Sequence, residues 1–269
     1  MQFGSETSGN FRDILFDNVT CGEAGKAGIG IATNDGGNIS NVAYRNITLI
    51  HTAIPISFGS GARAWQRRPP PWRVGRISNV SFADVRAVNV SWSQIPWYWP
   101  HCQHCDATST MDTIAVDGTP ATCNKTGPDP SPCYLRPTAT DARIVNVTMR
   151  NISLQMSGGG GKGTAAANAN YTGPDLGPAP RRFAPSYGLF LRNLHQSTID
   201  GLQLSFVEND DRPAVVLEHC NGVVVTGAVE MDRGSSIAYD VGLRDSADIQ
   251  LPLHLTTCVF PNCLFASAV

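Results

Sequence analysis

The sequence predicts an all-β chain wound as a parallel β-helix, a solenoid with long loop insertions. Three observations predict it. An Asn-Val/Ile grammar recurs between short alternating strands; no stretch carries a 3.6-residue period over helical length; and turn formers abound, with 26 Gly and 18 Pro in 269 residues. Apolar alternation over a few residues, bounded by Asn, Asp or Gly, reads as short strands. Repetition every ~20–25 residues is the mark of stacked repeats.

The repeat runs through "FRDILFDNVT" (11–20), "ISNVAYRNITLI" (39–50), "ISNVSFADVRAVNVSW" (77–92) and "RIVNVTMRNISLQM" (143–156). Each has an apolar residue, Asn-Val/Ile, a short alternating strand, then Asn or Asp and another strand start. "GLFLRNLHQSTIDGLQLSFV" (188–207) and "AVVLEHCNGVVVTGAVEM" (214–231) continue it more loosely. In a stack of such units the inward residues form one continuous core, and Asn side chains can ladder from repeat to repeat. A β-sandwich is the alternative, but it needs a hairpin at each reversal. Asn-Gly and Asp-Gly pairs are few, among them those at 35–36, 200–201 and 221–222.

Residues 1–269 read as a single partial β-helix domain with two interruptions. Residues 92–142 form a Cys/Trp-rich insertion, and 157–185 a Gly/Ala/Pro-rich flexible loop. Solenoids tolerate such excursions on one face.

Composition narrows the function. With 42% hydrophobic residues the chain can bury a sizeable core. A formal net charge of −2 points away from nucleic acid and leaves a neutral or mildly acidic substrate open. No apolar run approaches the ~20 residues of a membrane span. The chain reads as a monomer with no membrane partner.

Eight cysteines, an even number, favour disulfides in an oxidising compartment. Cys102, Cys105, Cys123 and Cys133 would staple the first insertion. Nine Asn-x-Ser/Thr sequons point the same way: Asn18, Asn38, Asn46, Asn79, Asn89, Asn124, Asn146, Asn151 and Asn170. Seven have Val or Ile in the middle, which the strand grammar explains without glycans. Asn124 and Asn170 lie in loop-like sequence, and with Asn18 they are the candidate glycosylation sites. The opening "MQFGSETSGNFRD" has neither a basic nor an apolar leader region. A secreted, extracellular or wall protein is therefore expected, with Met1 not its natural start and the chain an N-terminally truncated piece.

Other motifs have plainer readings. "HCQHC" (101–105), with Cys123 and Cys133, could form a zinc site, but it lacks the second close pair of a zinc ribbon. Disulfides are the expectation, with no metal and no cofactor. Trp92, Trp97, Tyr98 and Trp99 could stack on sugar rings or pack the insertion down. Asp210 and Asp211 in "FVENDDRPAVVL" could do acid/base work on a glycosidic bond. An adjacent Asp-Asp at a strand entrance is more often a turn with an Asp–Arg contact.

The strand "GIGIATNDGG" (28–37) raises its own question. One side is β-branched and the other is nearly bare, which in a strand often marks a close approach by a ligand or backbone. The opening "FGSETSGNFRDILFDNVTCGEAGKAGIGIATNDGGNISNVAYRNITLIHTAIPISF" resembles the C-terminal half of the polygalacturonase-like enzymes, glycoside hydrolase family 28. The match runs through Gly4-Ser5-Glu6-Thr7-Ser8-Gly9, Gly28 to Thr33, Gly36-Gly37 and Ile39 to Thr48, while "YGLFLRN" (187–193) and "DRPAVVLEHCNGV" (211–223) resemble late coils. The resemblance implies a right-handed parallel β-helix and hydrolysis of a pectic polysaccharide. One carboxylic acid would protonate the leaving oxygen while other carboxylates activate water, with inversion.

By the same resemblance the catalytic aspartates belong upstream of Gly4, so no catalytic residue is assigned within this chain. The family's substrate-binding Arg and Lys fall at Gly30 and Ala32, where both cations are replaced, and Thr33 and Asp35 are the remaining candidate contacts. Charge-assisted bonds of this kind are worth ~1.5–3 kcal/mol each, so an emptied subsite should hold a uronate poorly. Two functions remain: a glycosidase acting on a pectic or less charged glycan, or a non-catalytic glycan-binding or degenerate relative.

Overall fold

The computed structural model describes residues 1–3, 7–24, 27–33, 36–60, 62–64, 75–90, 109–113, 133–135, 144–160 and 186–259. Among them there are strands and turns and no helix. One sheet has eight strands in the spatial order β1 (Gln2–Phe3), β3 (Ala27–Thr33), β5 (Ile54–Ser60), β8 (Ser109–Thr113), β11 (Leu189–Arg192), β13 (Val215–Glu218), β15 (Val241–Arg244) and β16 (Thr257–Val259). The other has six, in the order β14 (Asn221–Met231), β12 (Leu194–Glu208), β10 (Ile144–Gly158), β7 (Arg76–Val90), β4 (Asn38–Ile50) and β2 (Phe11–Gly22). A small antiparallel pair joins β6 (Ala62–Ala64) to β9 (Cys133–Leu135).

Every pairing within the two large sheets is parallel. The chain passes back and forth between them, and only β15 and β16 are both consecutive and paired. A hairpin-linked sandwich would pair consecutive strands antiparallel, so that alternative does not describe this chain.

The Asn-Val/Ile grammar has a backbone cause. Asn18, Asn41, Asn46, Asn79, Asn89, Asn146 and Asn151 all have φ between 51° and 55°, the left-handed region that Asn tolerates better than most residues. Each such residue resets the strand alternation by one, so the Val or Ile after it turns inward. In β4, Val42 and Tyr44 face the core after Asn41, and Ile47 and Leu49 do so after Asn46. In β7 the same reset brings Val80 and Phe82, then Val85 and Ala87, inward. The asparagines also ladder. Asn41 Nδ2 donates to Asp13 Oδ1 at 3.0 Å, Asn79 Nδ2 to Asn41 Oδ1 at 3.0 Å, and Asn146 Nδ2 to Asn79 Oδ1 at 2.7 Å.

The core follows register. Phe16, Tyr44, Phe82, Met149, Ile199 and Val225 occupy one row across the six-stranded sheet. The Phe16 and Tyr44 rings stack at 4.9 Å, and those of Tyr44 and Phe82 at 5.1 Å. Burying each such side chain contributes roughly 1.5–3 kcal/mol. On the edge strand β2, Phe11 and Leu15 are exposed.

The insertion expected over 92–142 is not wholly an excursion. Its middle supplies β8, which pairs with β5 on one side and β11 on the other. The sequence "STMDT" lacks the Asn signal, and its place follows from parallel register with strands far along the chain. Cys133 begins β9, paired in register with Ala64.

Candidate functional site

The eight-stranded sheet turns one side to the core and the other outward. In β3 the core takes Ile29 and Ile31, so alternation places Gly30 and Ala32 on the opposite, outer side of the sheet, where both are nonetheless buried. In β5 the core takes Ile54, Ile56 and Phe58, leaving Ser57 and Gly59 outward. In β11 and β13 it takes Leu189, Leu191, Val215 and Leu217, which leaves Phe190, Arg192, Val216 and Glu218 on the outer face. Parallel register joins Ala32, Gly59, Asp112, Arg192, Glu218 and Arg244 into one row across six strands.

The two bare positions differ from Gly28 in what surrounds them. A Cβ on Gly28 would lie 2.8 Å from Leu49 Cδ2, so a core side chain occupies that space. A Cβ on Gly30 would meet Gln2 Cγ at 3.2 Å, the flexible side chain of an exposed residue on the neighbouring strand. The bareness of "GIGIAT" thus has two causes: packing against Leu49 at Gly28, and an outward position bordered by Gln2 at Gly30.

Thr33 is corrected by the structure. It is fully buried, and its hydroxyl donates to the carbonyl of Gly37. By alternation it is not on the face that carries Gly30. Asp35, Cys102, Cys105, Cys123, Asn124 and Asn170 lie outside the described residues, as do the side chain of Cys133, the "HCQHC" motif and the Trp cluster. Asn18 is exposed on β2 with φ 55°. Cys258 is disulfide-bonded, whereas Cys21 and Cys220 carry thiols.

Asp210 and Asp211 follow the turn reading. Asp210 is fully buried, and its carboxylate accepts from Arg212 Nε at 2.8 Å and from Arg212 Nη2. It also accepts from the backbone N–H groups of Arg212 and Gly160, each at 3.0 Å. Burial pushes the Asp210 carboxyl up, to about 6, against the pull of those N–H donors. The Asp211 carboxylate accepts from Asn209 Nδ2 and from the Ser236 N–H. Asp210 is bound to Arg212 inside the fold.

The charged end of the outer row is the part that sequence reasoning missed. Glu218 Oε2 lies 3.4 Å from Arg192 Nη2 and 3.6 Å from Arg244 Nη1. His219 Nε2 stands 3.8 Å from Glu218 Oε1, and Arg192 stacks over the Phe190 ring at 4.8 Å. Burial pushes the Tyr239 phenol up to about 12, against the opposing pull of the Arg244 charge.

Compared with known proteins, the chain matches no family model, no curated protein and no solved structure.

A signal for this cluster was present in "LFLRN", "VVLEH" and "VGLRD". Each ends on a leucine, a charged residue, and then Asn193, His219 or Asp245, all three with positive φ. The motif recurs at the end of three successive strands of one sheet, which is what aligns its charges.

Proposed function

We propose that this chain is part of a right-handed parallel β-helix of the polygalacturonase-like type, and that the outer face of its larger sheet receives a pectic or related glycan. One observation carries the reading: Gly30 and Ala32, which the resemblance aligns with substrate-binding cations, stand on the outer side of an all-parallel sheet. The alternating passage between two parallel sheets and the asparagine ladder support the solenoid part of it. As a glycosidase, the protein would use carboxylates in motifs that the resemblance places upstream of Gly4, and this chain would supply binding. Secretion to an extracellular or wall compartment accords with a disulfide at Cys258.

The second reading is a glycan-binding relative without catalysis, and the loss of both cations at Gly30 and Ala32 favours it. Reducing-end release from polygalacturonate and from neutral glycans, measured alongside binding to the same polymers, separates the two. Turnover by this chain sinks the binding-only reading. Binding without turnover favours it, and no interaction with any of the polymers removes both.

A further inference from the structure

We infer that Asn38 is an N-glycosylation site, and that the asparagine ladder keeps the sequons around it bare. The inference rests on the extracellular part of the reading above, not on its glycan-binding part. Seven of the nine sequons start on described asparagines, and six of these stand at left-handed corners with φ between 51° and 55°. At such corners the backbone itself favours Asn. Asn38 is the exception. It opens β4 outside the left-handed region, so the strand geometry asks for no asparagine there.

The side-chain amides divide in the same way. Nδ2 of Asn46 donates to Asp17 Oδ1 at 3.2 Å, that of Asn79 to Asn41 Oδ1 at 3.0 Å, and that of Asn146 to Asn79 Oδ1 at 2.7 Å. Asn151 Nδ2 donates to Asp84 Oδ1 at 2.7 Å, and Asn89 Nδ2 lies 3.2 Å from His51 Nε2. Asn38 is exposed, and its side chain makes no hydrogen bond among the described residues. Asn10 Oδ1 holds its backbone N–H at 3.1 Å, which secures the strand entrance without engaging the amide. Glycosylation would join Asn38 Nδ2 to C1 of an oligosaccharide carried on a lipid diphosphate. The C1–N bond forms as the C1–O bond breaks, the lipid diphosphate leaves with the electron pair, and Nδ2 gives one proton to a base. The amide thus exchanges one N–H for a pyranose. Rungs of the ladder repeat every ~4.8 Å, so a sugar on Asn79 stands against the amides of Asn41 and Asn146. A sugar on Asn38 displaces no partner.

The test is to express the whole chain behind a secretion leader in a eukaryotic host. Glycan occupancy is then mapped by peptide mass spectrometry after enzymatic deglycosylation in heavy-oxygen water. Secreted and cell-retained pools are both read, so poor export does not hide the result. Asn38 should be occupied in most molecules, and Asn46, Asn79, Asn146 and Asn151 in few. Asn38→Gln should remove the mass of one oligosaccharide and leave the urea midpoint of the deglycosylated chain unchanged, because the amide has no partner to lose. Asn79→Gln should leave the glycan mass as it is in wild type. Asn38 bare in both pools overturns the site, and so do ladder asparagines occupied as often as Asn38. A free Cys258 thiol in protein from its natural source overturns the extracellular reading, and the site with it.

Discussion

Asp210 and Arg212, two residues apart, form a buried ion pair that holds both ends of the segment 161–185. Asp210 accepts from the Gly160 N–H at 3.0 Å, and Arg212 Nη1 donates to the Ser186 carbonyl at 3.0 Å. The Asp211 N–H closes the same stem on the Gly160 carbonyl at 2.8 Å. Removing one partner strands a charge in an apolar interior, which costs about 3–5 kcal/mol. Arg212→Leu should lower the urea midpoint accordingly. Asp210→Leu combined with Arg212→Leu should lose less than the single change, a non-additivity that a double-mutant cycle in urea reads directly.

With Gly160 and Ser186 held on one ion pair, the segment between them should be replaceable. Exchange of residues 162–184 for a short Gly/Ser linker should change stability by no more than about 1 kcal/mol, because loop-closure entropy varies slowly with length. A loss of several kcal/mol in the same urea titration would show that the excised residues pack into the fold.

Asn79 sits in the middle of a ladder, donating to Asn41 and accepting from Asn146 at φ 55°. Asn79→Ala removes both bonds and leaves a Cβ in the left-handed region, so a loss of about 2 kcal/mol is expected. Asn79→Gly keeps the backbone comfortable and should recover roughly half of it. Equal losses in the two variants would locate the whole effect in the hydrogen bonds.

The glycines of β3 should separate under substitution. Gly30→Arg should fold, because Gln2 can move aside, and should raise affinity for polygalacturonate by about tenfold. Gly28→Val should unfold at markedly lower urea, because its side chain would enter the space of Leu49. Tolerance at Gly28 together with unfolding at Gly30 would reverse the assignment of space around this strand.

Acid should weaken one specific clamp. Asp240 opposes its own burial through forked bonds from Arg233 and donors on Thr256, and its carboxyl ends below the usual value. A depressed carboxyl stabilises the fold above its unfolded pKa of about 3.9, and that contribution is lost as pH falls through the folded value. Asp240→Asn should therefore flatten the acid limb of a stability–pH curve below about pH 4 and lower stability at pH 7. An unchanged acid limb would remove Asp240 from the account.

Much of the strand pattern was legible in the sequence. A left-handed Asn followed by an inward Val or Ile is a relation between chain neighbours, so "SNVAYRNITL" announces its own corners and core face. The same logic identified Asp210–Arg212 as a turn contact. Other features depended on partners far along the chain. Gly28 is bare because Leu49 fills its space, Thr33 turns inward to Gly37, and "STMDT" became a central strand through register with β5 and β11.

Where strands bend and which side chains point inward is set locally, because φ preference and alternation act between adjacent residues. That Arg192, Glu218 and Arg244 share one row is a long-range outcome. Those side chains meet because parallel register, set by the packing of leucines and valines behind them, brings the ends of separate strands to the same level.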